Sequence, residues 1–302
     1  MQDMLELPRP VAFVLGGGAS FGAVQVGMLQ ALSETALTPD LVIGTSVGSI
    51  NGALLAADPR GAANRLSHLW MQVTRDVVFP GGPFDRVRTW RKHRNHLVAS
   101  TGLHDLIAGE LTQERIEDLA LPFVATAMDL ATGRIVHLDN GPLIPALLAS
   151  AAIPGLYPPV RIDGRDLADG GVVSNVPVDE ALARGAASLV VLDCGVIGMR
   201  PEVPRSLPET VAHVAAIMMR QQVVRDVPRV AREVPVVYLP GPFPLVGSPL
   251  EFVHSPRLMK EAYEQSRAFL ADLEVAGPGL YGDPPLVTGD DDPRLREVRR
   301  DA

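Results

Sequence analysis

Ser46 stands in Gly44-Thr45-Ser46-Val47-Gly48, a G-x-S-x-G spacing. It follows a short apolar run, Leu41 to Ile43, and precedes an alanine- and leucine-rich stretch. On a strand-to-helix turn this pattern pushes a serine hydroxyl out of a sharp bend. The helix behind it turns its free amides, and the positive end of its dipole, toward charge that develops there. Such a hydroxyl becomes a nucleophile when a neighbouring group takes its proton. The same spacing also describes an ordinary tight turn, so the serine needs companions elsewhere in the chain.

Two other segments carry suitable chemistry. Gly16-Gly17-Gly18-Ala19-Ser20-Phe21-Gly22 is a glycine loop between an apolar strand and a helix, a place where backbone N–H groups meet an anion. The dinucleotide pattern G-x-G-x-x-G fails there because Phe21 stands where a third glycine is needed. The phosphate loop fails because Ala23 follows Gly22 in place of lysine. A site for the negative oxygen of a tetrahedral intermediate remains. In Leu167-Ala168-Asp169-Gly170-Gly171 a carboxylate precedes two glycines. It either projects from a tight loop or bonds its own backbone. A Ser-His-Asp triad on an α/β-hydrolase fold needs a histidine after the acid, and only His213 and His254 follow Asp169. Neither lies in a recognisable loop motif, and His213 falls inside a helix. His68, His93, His96, His104 and His137 read as ordinary surface or core residues.

Composition bounds the class. The 302 residues are 47% hydrophobic and 21% charged with a net charge of −8, as in a globular protein of one large or two small domains. That balance argues against a nucleic-acid partner. Cys194 is the single cysteine, which excludes an intrachain disulfide and a cysteine-rich metal site. No metal-ligand spacing appears, and no cofactor is expected. Met1 to Pro10 contains Asp3 and Glu6 and lacks the features of a leader, and no apolar run is long enough to span a bilayer. The expected compartment is the cytoplasm, with peripheral contact at a membrane as an extension.

Apolar periodicity places these groups on alternating strands and helices. Strands are expected at Val11 to Leu15, from Leu41, at Leu121 to Met128, Arg134 to Leu138, Ala187 to Leu192 and, last, Val234 to Leu239. Helices are expected from Gly22 to about Thr35, after Ser46 to Ala57, from Asp58-Pro59 to about Gln72 and over Glu114 to Leu119. Others follow at Pro145 to Ala152, Val178 to Arg184, Glu209 to Asp226 and from Ser255-Pro256 to about Leu273. No helical period is legible between Arg75 and His96, where five cations from Arg86 to Arg94 surround Trp90. Met218-Met219 reads as core packing.

One further segment, Ala149-Ser150-Ala151-Ala152-Ile153-Pro154-Gly155, completes an ordered set: glycine loop, G-x-S-x-G, A-S-x-A-I-P-G, then D-G-G followed by Asn175-Val176-Pro177. From about Val11 to Gly185 this order resembles the patatin-like phospholipase family. Thr101-Gly102-Leu103 and Met128-Asp129-Leu130 with Gly133 are similar to that family's intervening blocks. The resemblance implies a three-layer α/β/α sandwich with a mainly parallel central sheet. It implies one acyl hydrolase domain over residues 8–275, core motifs within 11–185, and a mobile C-terminal tail at 276–302. It also implies a Ser46–Asp169 dyad without a catalytic histidine, and an oxyanion loop at Gly17, Gly18 and Ala19 with Gly16 just before it. Gly44, Gly48, Gly170 and Gly171 support the motifs.

The implied activity is hydrolysis of lipid acyl esters of the phospholipase A or lysophospholipase type, through an acyl-serine. Acyl transfer to an alcohol and a lipid-binding or regulatory role without catalysis are the alternatives. The partners implied are a lipid ester and, transiently, a membrane surface. Phe79, Phe84, Trp90 and the cations from Arg86 to Arg94 form either a lid over anionic head groups or a solvated basic segment. Two positions depart from the family pattern. Phe21 replaces a usual basic residue, and Ala19 a usual glycine. An ordinary aspartate, with a pKa of roughly 3.9, is a poor base. The dyad therefore requires Asp169 to be enclosed, within about 2.6–3.2 Å of Ser46.

Overall fold

In the computed structural model, which describes residues 6–195, 205–243, 245 and 248–284, strand and helix alternate from the start. The first half comprises β1 (Val11–Leu15), α1 (Gly22–Ser33), β2 (Leu41–Thr45), α2 (Val47–Ala57), α3 (Ala62–Gln72), α4 (Arg75–Val78), α5 (Pro83–His93), α6 (Thr101–Glu110), β3 (Phe123–Asp129), β4 (Ile135–Leu138) and α7 (Leu143–Ser150). The second comprises β5 (Val160–Ile162), β6 (Arg165–Asp169), α8 (Gly171–Ser174), α9 (Val178–Ala183), β7 (Ser188–Leu192), α10 (Leu207–Val230), β8 (Pro235–Tyr238), α11 (Ser255–Ala271) and β9 (Gly279–Tyr281).

The nine strands form one sheet in the order β5-β6-β3-β2-β1-β7-β8-β9, with β4 paired to β3. Pairing is parallel from β3 through β2, β1, β7 and β8 to β9, and antiparallel where β3 meets β4 and β6 and where β5 meets β6. Side chains alternate across each strand, which fixes the layering. Phe13 and Leu15 of β1 face a core shared with α1, α2, α3 and α11, whereas Ala12 and Val14 face a second core against α9 and α10. Helices thus cover both faces, and the result is a three-layer α/β/α sandwich around a mostly parallel sheet. Gly27 lets α1 lie against α11: a Cβ there would overlap the backbone of Met259. Among the described residues no helix is long and apolar enough to cross a membrane.

Several expectations are corrected. The stretch from Arg75 to His96 contains α4 and α5. Phe84, Val87 and Trp90 of α5 are exposed, so no core-facing stripe marks this helix in the sequence. Its start is set by Pro83 in the first turn and by the Asp85 Oδ2 that accepts from the Gly82 amide at 3.0 Å. Phe79 belongs to the core and not to a surface lid. Helix α6 was not among the expected helices, and the one expected at Glu114 to Leu119 is a single 3₁₀ turn, Ile116–Asp118. Asp58 accepts from the Gly61 amide at 2.9 Å, so it shapes a turn and α3 begins later, at Ala62. Met218 is 48% exposed and is not core packing. Val234 to Leu239 does not hold the last strand: β9 pairs with β8 within the stretch expected as a tail, and residues 285–302 of that stretch lie outside the described residues.

Candidate active site

Ser46 sits between β2 and α2 with φ 56° and ψ −128°. A non-glycine residue there is strained, at a cost on the order of 1–3 kcal/mol, and persists only if its surroundings hold it. The Ser46 amide donates to Ser150 Oγ at 2.9 Å, and Ser150 Oγ donates to the Thr126 carbonyl at 2.7 Å. The Ser46 carbonyl accepts from the Ser49 amide at 2.9 Å and from Ser49 Oγ at 2.7 Å. The flanking glycines serve close approach, not unusual torsions. A Cβ on Gly48 would overlap the carbonyl of Leu15, and one on Gly44 the carbonyl of Gly48. The strain therefore resides in the serine itself.

Asp169 ends β6, and the sheet explains how it reaches Ser46. β4 holds one edge of β3, pairing from Ala125↔Leu138 to Met128↔Ile135. β2 and β6 must then share the other edge. β2 runs along it as far as Thr45↔Thr126, and β6 arrives from the opposite direction with Ala127↔Asp169. The ends of the two strands meet on adjacent residues of β3. Gly170 fits this junction because a Cβ there would lie 2.6 Å from the Thr126 carbonyl oxygen. The Asp169 carboxyl accepts from the Gly171 amide at 2.8 Å, and the Ser46 side chain lies near enough to pull its pKa down. Burial pushes its pKa up to about 6, against smaller downward pulls from Ser46 and Gly171. No histidine contributes to its environment.

The glycine loop borders the same spot. A Cβ on Gly17 would lie 3.0 Å from Ser46 Cβ and 2.8 Å from Asn175 Oδ1. Two of the four expected oxyanion donors are already engaged: the Gly16 amide donates to the Leu192 carbonyl at 3.0 Å, and the Gly17 amide to the Asn175 carbonyl at 3.3 Å. The amides of Gly18 and Ala19 have no partner among the described residues. Ala19 has φ 50°, the left-handed region that suits glycine, so the alanine there carries strain. Phe21 is buried in the main core, so an apolar contact occupies the position where a cation was expected.

Sequence reasoning missed the groups that hold this loop. Gln25 Nε2 donates to the carbonyls of Gly16 at 2.7 Å and Leu192 at 2.9 Å. Asn51 Nδ2 donates to Gln25 Oε1 at 2.8 Å, and Trp70 Nε1 donates to Asn51 Oδ1 at 3.0 Å. Two polar residues inside otherwise apolar helices were the available signal. Behind Gly16 lies Asp193, buried and bonded by the Tyr238 hydroxyl, with Oδ1 unpaired among the described residues. Burial raises its pKa. A carboxylate directly after an all-apolar strand was its trace in the sequence.

From Ser46 and Ala19 an apolar cavity of about 580 Å³, open solvent at its mouth included, runs between α2, α3 and α6, with Phe252 from the segment before α11 on its wall. Trp70, Val73, Phe79, Leu103, Ile153 and Phe252 line it. Phe79 stacks on Tyr157 with ring centroids 5.6 Å apart, and the Tyr157 hydroxyl donates to the Val78 carbonyl at 2.5 Å. The wall thus uses up its own polar groups.

Fold and site together define an α/β protein with a serine at a strained elbow, facing a buried carboxyl at the end of an apolar cavity. Residues 13–182 match the family model of patatin-like phospholipases, and the chain belongs to that family. It is 33% identical over 196 residues to patatin-like phospholipase domain-containing protein 7 of Mus musculus, covering 61% of this chain and 14% of that protein. It is 27% identical over 277 residues to lysophospholipase NTE1 of Mycosarcoma maydis, covering 88% of this chain and 13% of that one. The chain therefore spans about one seventh of these relatives' length. Among solved structures, VipD from Legionella pneumophila aligns with a TM-score of 0.46 and 15% identity over 88% of this chain and 67% of that one. The type III effector ExoU aligns with a TM-score of 0.38 and 18% identity over 98% and 63%.

Proposed function

We propose that the protein is a lipid acyl hydrolase in which Ser46 and Asp169 act as a dyad. The observation that carries this reading is that the strands leading to Ser46 and Asp169 meet on adjacent residues of β3, in a pocket where burial raises the carboxyl pKa to about 6. At neutral pH Asp169 is mostly ionised yet far more basic than an exposed aspartate. Ser46 Oγ attacks the ester carbonyl carbon while Asp169 takes the hydroxyl proton. The carbonyl oxygen becomes an oxyanion held by the amides of Gly18 and Ala19, and the N-terminus of α2 adds its dipole. Collapse breaks the ester C–O bond, Asp169 returns the proton to the leaving alcohol, and the acyl group stays on Ser46. Water then attacks the acyl carbon while Asp169 takes its proton, the bond from the acyl carbon to Ser46 Oγ breaks, Asp169 returns the proton to Oγ, and the fatty acid leaves. The cavity receives the acyl chain, since each buried methylene contributes about 0.8 kcal/mol of binding.

A fluorophosphonate probe should label the native protein at Ser46 and should not label Ser46→Ala. Hydrolysis of nitrophenyl esters and lysophospholipids should vanish with either Ser46→Ala or Asp169→Asn. Ester cleavage that survives in Ser46→Ala overturns the reading.

A further inference from the structure

We infer that the exposed face of α5 docks on an anionic lipid surface and sets the mouth of the acyl cavity against it. This rests on the hydrolase reading above for its purpose, but on separate residues for its evidence. Phe84 is 92% exposed and Trp90 50%, with Val87 also exposed beside them. Among the described side chains of the helix only Arg86 and Thr89 are half-buried, which marks the side toward the body. Phe84, Arg88 and Arg91 follow at i, i+4 and i+7 on the opposite side, with Val87 and Arg94 along its border. Phe84 and Val87 are thus interleaved with cations on the surface turned to solvent, with Trp90 on the flank nearer the body, the arrangement of a helix lying in a lipid interface.

The charge is local. Residues 71–97 hold six Lys and Arg against two Asp, a net of +4 in a chain whose total is −8. Asp85, one of those two carboxylates, is engaged with the Gly82 amide. Arg88, Arg91, Lys92 and Arg94 pair with no carboxylate among the described residues. A solvated basic helix explains the cations, but not an exposed phenylalanine and tryptophan among them. The opposite surface chemistry, negative head groups over an apolar interior, matches both.

Position adds the second argument. α5 is bracketed in the chain by cavity walls: Val73, Val78 and Phe79 before it, Leu103 and Leu106 after it. Met71, Val77 and Leu97, in the same stretch, are also exposed. The chain thus enters and leaves α5 from the cavity wall, which is the basis for setting its exposed face at the entrance. The exposed stripe Leu207, Val211, Val214 and Met218 on α10 lacks such a belt of cations and serves as the control.

The test is co-sedimentation of the full chain with vesicles of phosphatidylcholine alone or mixed with phosphatidylserine. Native protein should bind the mixed vesicles, bind the neutral ones far more weakly, and be released by salt. Arg88→Glu with Arg91→Glu should lower the affinity for mixed vesicles at least about tenfold, since each cation near such a surface contributes roughly 1 kcal/mol. Phe84→Ser with Trp90→Ser should weaken it as well, and Val211→Ser with Val214→Ser should not. Cleavage of a dispersed short-chain ester should be unchanged in all of these variants. Native protein that cleaves the ester but ignores mixed vesicles overturns the inference and leaves the hydrolase reading standing. So does vesicle binding that survives the α5 changes. Binding through α5 with no ester cleavage, with or without vesicles, overturns the hydrolase reading and leaves this one.

Discussion

On the proposed dyad Asp169 is under two opposed demands. Its pocket must be dry enough to make the carboxyl basic, and dryness makes the ionised form costly. The folded pKa is about 6 against 3.8 for the free side chain. Between those values the native state keeps a proton that the unfolded chain has lost, so stability falls as pH rises through that window. By pH 7 the buried charge costs on the order of 3 kcal/mol. Asp169→Asn should therefore abolish hydrolysis and raise the denaturant midpoint near pH 7, and the gain should disappear toward pH 4. The native rate should rise with pH through about 6 as the base loses its proton, leaving an acid limb in kcat/KM. Ala19 offers a second test of local strain. Ala19→Gly should raise stability by about 0.5–1 kcal/mol at unchanged m value while retaining activity, because glycine accepts φ 50° without a steric clash.

At the scale of elements, Ser150 is the joint between α7 and the elbow. It accepts from the Ser46 amide and donates to β3 at Thr126, so it ties the strained turn to the strand that carries Asp169's partner in register. Ser150→Ala should lower kcat roughly ten- to a hundredfold with KM nearly unchanged, since a misplaced nucleophile loses rate rather than binding. The serine was visible in the A-S-x-A-I-P-G segment, but its task was not, because spacing does not say which amide a hydroxyl will meet. The same limit explains other misses. β1, α1, β2 and α2 were legible because each is an apolar run, buried on nearly all sides and bounded by glycine or turn residues. α5 was not, because its apolar side chains face outward, and β9 was not, because three residues carry no period. Ser46, Asp169 and the glycine loop could be picked out in the sequence. The division of labour within that loop, with Gly16 and Gly17 anchored and Gly18 and Ala19 left open, depends on carbonyls contributed by Leu192 and Asn175 and so appears only in three dimensions.

At the scale of the whole molecule, the proposed function divides the layers on either side of the sheet between substrate and scaffold. α2, α3 and α6 wall the cavity proposed for the acyl chain, whereas α9 and α10 close the opposite face over an ordinary core. Filling the cavity should therefore change chain-length preference without touching the chemistry. Leu103→Trp, which excludes about two methylenes at ~0.8 kcal/mol each, should cut kcat/KM for long-chain esters roughly tenfold relative to short-chain ones. A parallel loss on both substrates would mean that the wall positions Ser46 as well as the chain.

The junction on β3 has a consequence for how the protein is made. On the proposed dyad, a growing chain holds its reactive hydroxyl long before its proton acceptor has been synthesised. The half-built molecule is harmless to surrounding ester bonds, because Ser46 without Asp169 is an ordinary alcohol. Competence cannot precede the pairing of β6 with β3 that brings the carboxyl alongside, nor the later arrival of Asn175 and Leu192, which anchor the glycine loop.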